Sequence, residues 1–125
     1  MTDFLADDWP IAAAALPFPG RTAAGRTVTE AGPDAWREVL VEVADAGFDR
    51  IDLTDSWLRV GDLDPQGLAD LSVVAAEEGV VPTSVSAIRG SVIDRKNGEA
   101  NLAYSHRTLD AAAALGIETV SFGLH

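Results

Sequence analysis

The sequence predicts an α/β fold in which parallel strands alternate with helices. A short unit recurs along the chain, in which a glycine ends a helix and an apolar strand follows, at Gly47, Gly79 and Gly116. The glycines are roughly 30 to 40 residues apart, about what a helix, a strand and two short loops require. In the stretch GFDRIDLTDSWLRVG, residues 47–61, the strand gives way to polar residues. In such folds function lies at the carboxyl ends of the strands.

Four strands are predicted. The first covers residues 9–16, WPIAAAAL, which are apolar without polar alternation, as in a strand that is buried on both faces. The other three cover residues 49–54, 82–88 and 117–124. Residues 21–31, between the first strand and the first helix, are polar and contain glycine, and we expect them to form a loop.

Three helices are predicted between these strands. The first starts at Pro33, because proline fits the first helical turn, and it ends before Gly47. Residues spaced by three and four positions mark its buried face, namely Trp36, Val39, Leu40, Val43 and Ala44.

The second helix starts at Asp64 and Pro65 and ends at Gly79, with an apolar face made by Leu68, Leu71 and Ala75. The third covers residues 99–115. Its expected inward side chains are Leu102, Leu109, Ala112 and Ala113.

The composition indicates one globular domain. The chain has 125 residues, of which 47% are hydrophobic and 23% charged, and no apolar run reaches the roughly 20 residues that span a membrane. The first residues are acidic, whereas a secretory signal begins with basic ones. We therefore expect a cytoplasmic protein, with a flexible lead-in over residues 1–8 and one domain over residues 9–125.

Charge and cysteine content exclude several classes of function. The net charge of −11 disfavours nucleic acid as a partner, because lysine and arginine supply most of the affinity for phosphate backbones. There is no cysteine, so a disulfide framework, a thiolate metal site and a cysteine nucleophile are all excluded.

Three phrases of the sequence resemble one family. GFDRIDLTDSWLRVGDL, LADLSVVAAEEGVVPTSVSAIRGSVID and YSHRTLDAAAALGIETVSFGLH resemble the N-terminal half of the sugar phosphate isomerase/epimerase family, which has a xylose isomerase-like TIM barrel. The resemblance covers residues 9–125. It implies a partial (β/α)8 barrel of about four parallel strands and three helices.

A complete barrel takes about 250 residues, so the resemblance also implies a truncated half-barrel. Its two outer strand edges would be exposed, which makes a homodimer through those edges an expected alternative. The family binds a divalent metal, Mn or Mg, through Glu, Asp and His residues of later strands, and those ligands are absent from this chain.

The resemblance implies that the parent enzyme is a metal-dependent sugar or sugar phosphate isomerase or epimerase, which transfers a proton next to a carbonyl. Two alternatives stay open. One is a lyase-type catalytic subunit of the same fold that cleaves C-glycosides. The other is a non-catalytic half-barrel that assembles with another subunit.

Candidate site residues lie on the second strand or follow it. Asp52 is either an inward carboxylate near the sugar or a solvated or ion-paired strand residue. Asp55 and Trp57 come just after the strand, where barrel active sites lie. Trp57 would either stack on the apolar face of a sugar or form a lid over the core.

Two further candidates follow later strands. Arg89 follows the third strand, where a guanidinium either binds a phosphate or a pair of sugar hydroxyls, or forms a surface ion pair with Asp94. His125 ends the fourth strand and is interpreted as a substrate-binding residue, with a metal ligand and no role as the alternatives. The resemblance thus assigns substrate binding to Asp55, Trp57, Arg89 and His125.

Overall fold

The computed structural model describes residues 10–123, which form a four-stranded parallel sheet packed against helices. The strands lie in sequence order and are β1 (Ala13–Ala14), β2 (Arg50–Thr54), β3 (Val81–Ala87) and β4 (Thr119–Phe122). The helices are α1 (Val28–Ala31), α2 (Pro33–Asp45), α3 (Pro65–Glu78) and α4 (Gly98–Ala114), with a 3-10 turn over Val60–Asp62. This arrangement confirms the predicted partial α/β barrel. The expected lead-in and His125 lie outside the described residues.

Strand β1 is shorter than the strand predicted over residues 9–16. Ala13 and Ala14 pair with β2, and the Ala15 N–H donates to the Asp52 carbonyl over 3.1 Å. A turn follows at once, because the N–H of Phe18 donates to the Ala15 carbonyl over 3.0 Å. Alanine gives a strand little side-chain area to bury, so the apolar run does not extend the pairing.

The prediction of a loop over residues 21–31 is wrong for its last four residues, Val28–Ala31, which form the one-turn helix α1. The hydroxyl of Thr27 caps it by accepting from the N–H of Glu30 over 3.2 Å. The indole N–H of Trp36 donates to the carbonyl of Val28 over 2.8 Å and so fixes α1 against α2. Thr27 followed by Glu30 is the spacing of a capping box, and this signal was present in the sequence.

The sheet has one apolar and one polar face. Ile51, Leu53 and Val85 alternate along β2 and β3 and are at most 1% exposed. They share one buried cluster with side chains of the long helices, including Leu40, Val43, Leu71, Val74 and Ala111. The alternate positions carry mostly polar side chains on the opposite face, which is the inner face of a barrel.

The structure confirms the predicted limits and buried faces of α2 and α3. Asp64 caps α3 by accepting from the N–H of Gly67 over 2.7 Å, and α3 ends at Gly79 in the left-handed conformation, with φ of 68°. Arg37 of α2 forms ion pairs with Glu77 and Glu78 at the end of α3. Within residues 10–123 no helix is long and apolar enough to cross a membrane.

The predicted buried face of the last helix is largely wrong. Leu102 and Leu109 of α4 are 49% and 46% exposed, and Ala113 is also exposed. The buried side chains are instead Tyr104, Thr108, Ala111 and Ala112, of which the last alone was expected. The prediction placed the two leucines inward only because they are hydrophobic. The face of α4 that is buried is instead the one that packs closely against another segment of the chain.

That segment is the 3-10 turn, which α4 approaches at Gly61. A Cβ atom on Gly61 would lie 2.6 Å from Thr108 Oγ1 and 3.0 Å from the Thr108 backbone nitrogen. Arg107 Nε also donates to the carbonyl of Gly61 over 3.1 Å. Only glycine leaves room for this contact between helix and turn.

We predict that Gly61→Ala destabilises the fold by about 1–3 kcal/mol, because the added methyl forces α4 away from the turn. Thr108→Ala removes the nearest atom, so the double variant should lose less stability than the two single variants combined. Urea denaturation measures all three. A loss for Gly61→Ala that is the same in both backgrounds would contradict this packing.

Candidate functional site

The side chain of Asp55 joins the ends of two strands to a helix. Asp55 follows β2 and is 4% exposed. Its carboxylate accepts from the N–H of Ile88 over 2.9 Å and the N–H of Arg89 over 3.3 Å, both just after β3. It also accepts from the hydroxyl of Tyr104 on α4 over 3.2 Å. Asp55 therefore fixes the segment that carries Arg89.

The hydroxyl of Tyr104 stays protonated and donates a hydrogen bond to Asp55. Burial and the charge of Asp55 raise the pKa of its hydroxyl above the usual 10.0, although the positive charge of Arg59 acts in the opposite direction. The Arg59 guanidinium lies over the tyrosine ring, 3.9 Å from its centroid. The hydroxyl consequently keeps its hydrogen at neutral pH and donates it to Asp55.

Asp62 links two arginines beside this tyrosine. Its carboxylate accepts from Arg59 Nε over 2.6 Å and from Arg107 over 2.9 Å. Burial acts to raise the pKa of Asp62, but the hydrogen bonds and the positive charges of the two arginines together outweigh burial and hold the pKa below the usual 3.8. The ion pairs connect the turn after β2 to α4 and so support the same strand end.

Trp57 and Arg89, both expected at a sugar site, have different surroundings. Trp57 is 2% exposed and belongs to the buried core, so its ring face is not presented to solvent. Arg89 has an exposed side chain. Its expected alternative partner Asp94 instead accepts from the N–H groups of Lys96 and Asn97, over 2.8 and 2.7 Å. Within residues 10–123 no ion pair joins Asp94 to Arg89.

A second polar group lies on the inner face of the sheet. The carboxylate of Asp52 accepts from the hydroxyls of Thr54, Ser84 and Ser86, over 2.9, 2.5 and 3.0 Å. The Ser121 hydroxyl lies 3.3 Å from that of Ser86. We call these five residues of three neighbouring strands the Asp52 hydroxyl cluster.

Sequence reasoning identified Asp52 as either inward or solvated but did not single out the serines. Ser84 and Ser86 are two residues apart and alternate with the buried Val85 and Ala87. That period of two is the signal for a shared polar face. The strand register brings the groups together, since Asp52 lies opposite Ser84 and Ser86 lies opposite Ser121.

The described residues do not fit a metal site. Between residues 10 and 123 there is no group of three or more His, Cys, Asp or Glu side chains that could hold an ion. Asp52 already accepts three hydroxyl hydrogens, and Asp55 accepts two backbone N–H groups and a phenol. Both carboxylates are therefore engaged by protein donors.

The four parallel strands with helices packed on one face form part of an α/β barrel, and the comparisons with solved structures agree. The chain is similar to a xylose isomerase-like TIM barrel protein from Mycobacterium smegmatis, solved in complex with magnesium. The two share 37% identity over 98% of this chain, with a TM-score of 0.85. The chain spans 40% of that protein's length. The resemblance drawn from the sequence is thereby confirmed.

A second solved structure shares the fold. It is D-psicose 3-epimerase, determined in the presence of D-fructose, with 23% identity, coverage of 72% of this chain and 32% of that one, and a TM-score of 0.53. At this identity the likeness supports the fold alone. No family model and no curated protein matches the chain.

We predict that Asp55→Ala lowers the free energy of unfolding by about 2–4 kcal/mol, because it leaves three donors without their acceptor. Tyr104→Phe is the matched control, since it removes one donor and should cost about 1 kcal/mol. Denaturant unfolding measures both, and faster amide exchange at Ile88 and Arg89 in Asp55→Ala alone locates the effect. Equal losses in the two variants would contradict the assignment.

Stability should also depend on Asp62 at acid pH. Its pKa in the folded chain lies below the usual 3.8, so its contribution is complete above that value and is lost as pH falls through the lowered folded pKa. Asp62→Asn removes the titrating group. The difference in unfolding free energy between wild type and Asp62→Asn should be constant near neutral pH and shrink in acid, whereas a difference independent of pH would contradict this.

Proposed function

We propose that the barrel to which this chain contributes is a sugar isomerase or epimerase, which transfers a proton at a carbon next to a carbonyl. The observation that carries the proposal is the polar inner face of the sheet, built by the Asp52 hydroxyl cluster. Hydroxyls and a carboxylate suit a polyhydroxylated ligand, whereas a barrel interior of purely structural character is filled by branched apolar side chains.

The structural neighbours support the reaction class. One is an epimerase of the ketohexose psicose, determined in the presence of D-fructose, and the other a xylose isomerase-like barrel that contains magnesium. The substrate class that we assign is a sugar or sugar phosphate, and D-fructose is the sugar with which we test it.

The expected site residues take different roles in this proposal. Arg89 is exposed just after β3, and we assign it direct contact with the sugar or with a phosphate on it. Asp55 positions Arg89 by accepting a hydrogen bond from the backbone N–H of Arg89. Trp57 lies in the buried core, so we assign it no direct contact with the sugar. His125 lies outside the described residues and keeps its proposed role in substrate binding.

We propose that the whole barrel binds a divalent metal, Mn or Mg. Because residues 10–123 do not fit a metal site, its ligands would come from outside this range. The role that we assign to the described residues is recognition of the sugar.

A second candidate is a non-catalytic half-barrel that assembles with another subunit. The observation that favours it is the sheet order, in which β1 and β4 are the two outer strands of the described sheet. An unpaired strand edge is a template for pairing with another chain, and a homodimer through these edges would satisfy both.

We predict that the 125-residue chain binds D-fructose with a Kd on the order of 10 mM. Amide shifts in a nuclear magnetic resonance titration should map to β2, β3 and the segment around Arg89. Arg89→Ala should weaken binding about threefold to tenfold without loss of stability, because the exposed side chain is not part of the core. Arg95→Ala, an exposed arginine in the same connection, is the matched control. Shifts confined to the helical surface, or no binding, would contradict the proposal.

The same sample separates the two candidates. In deuterated water with Mg²⁺ or Mn²⁺, catalysis replaces the hydrogen on the carbon next to the carbonyl by deuterium. Incorporation above the rate without protein supports the enzyme. Because the metal ligands of the proposed enzyme would lie outside residues 10–123, the isolated chain can lack incorporation under either candidate, and its size then decides. A dimer by light scattering supports the assembling half-barrel, and a monomer that binds the sugar supports one half of the enzyme.

A further inference from the structure

The hydrogens of the Asp52 hydroxyl cluster have fixed directions. A carboxylate only accepts hydrogen bonds, and a hydroxyl has a single hydrogen to donate. The hydroxyls of Thr54, Ser84 and Ser86 therefore all direct their hydrogens at Asp52. Because the hydrogen of Ser86 is already used, Ser121 is the donor in the 3.3 Å contact between the two serines.

What the cluster offers to a ligand is consequently a set of acceptors. Thr54 is 3% exposed and lies beneath the surface, whereas Ser84 and Ser86 are half-buried and Ser121 is exposed. Each of the three serine oxygens keeps at least one lone pair that is available for hydrogen bonds, although Ser86 already accepts from Ser121. A ligand that lies against this face must therefore supply the hydrogens.

The charge of the face has the same consequence. Asp52 forms no ion pair within residues 10–123, where the salt bridges involve other residues. Arg50 is the nearest basic residue along β2, and its guanidinium is paired with Asp49 at the amino end of the strand, over 3.1 Å. A negative charge thus remains at the centre of the acceptors, and it repels anions.

We propose that the Asp52 hydroxyl cluster is a binding site for the neutral, hydroxyl-bearing part of the ligand and that it excludes phosphate. The inference rests on the proposed function for the identity of that ligand as a sugar. Sugar hydroxyls supply the hydrogens that the serine oxygens require, whereas the dianionic phosphate monoester of a sugar phosphate has only oxygens and negative charge to offer. A phosphate group, where the substrate has one, is directed away from the strands toward Arg89.

Titrations of the full chain with D-fructose and, separately, with methyl phosphate, whose dianion has no hydrogen to donate, test this site. D-fructose should shift the amides of Ser84, Ser86 and Ser121, and phosphate at the same concentration should leave them unchanged. Asp52→Asn removes the charge and allows serine hydrogens to turn outward, so the preference for fructose over phosphate at these amides should fall at least about tenfold.

Ser121→Ala is the control variant, because it removes an outer acceptor but leaves Asp52 and its three donors in place. It should weaken fructose binding and leave phosphate excluded. The comparison of fructose with phosphate on the wild-type chain needs no variant, so it tests the inference even if Asp52→Asn does not fold. Phosphate shifts at the serine amides of wild type would overturn the inference while fructose binding upholds the proposed function. Absence of fructose binding anywhere on the chain would overturn both.

Discussion

One buried carboxylate holds the strand ends of this protein in place. Asp55 accepts the N–H groups of Ile88 and Arg89 and the hydroxyl of Tyr104, and so joins β2, the end of β3 and α4. Parallel strands are hydrogen-bonded to each other along their length, but the loops that leave them have no such ladder. A side chain that takes their N–H groups gives the loops a defined position, and here that position determines where Arg89 lies.

The two faces of the sheet differ in character. The apolar face buries Ile51, Leu53 and Val85 against the long helices. The opposite face carries Asp52 with the hydroxyls that it orients, at a cost in desolvation that an apolar interior would avoid. A polar group of this kind is satisfied internally and still leaves acceptors on its surface, which suits a ligand rich in hydroxyls and poor in charge.

The sequence predicted most of the fold and less of the site. The limits of α2 and α3 followed from local signals, a proline or aspartate at the start and a glycine at the end. The buried face of α4 did not, because Gly61 admits Thr108 and Tyr104 through a contact between segments that are distant in sequence. The Asp52 hydroxyl cluster was hidden for the same reason, since it depends on the register between three strands. Asp55 was identified by its place after a strand, but its hydrogen-bond partners required the structure.

A crystal structure of the 125-residue chain soaked with D-fructose would show whether the inner face of the sheet recognises a sugar. We expect the sugar to lie against the inner face, with its hydroxyls within hydrogen-bond distance of the Ser84 and Ser86 oxygens. A sugar bound on the helical side, with the inner face occupied only by water, would contradict this expectation.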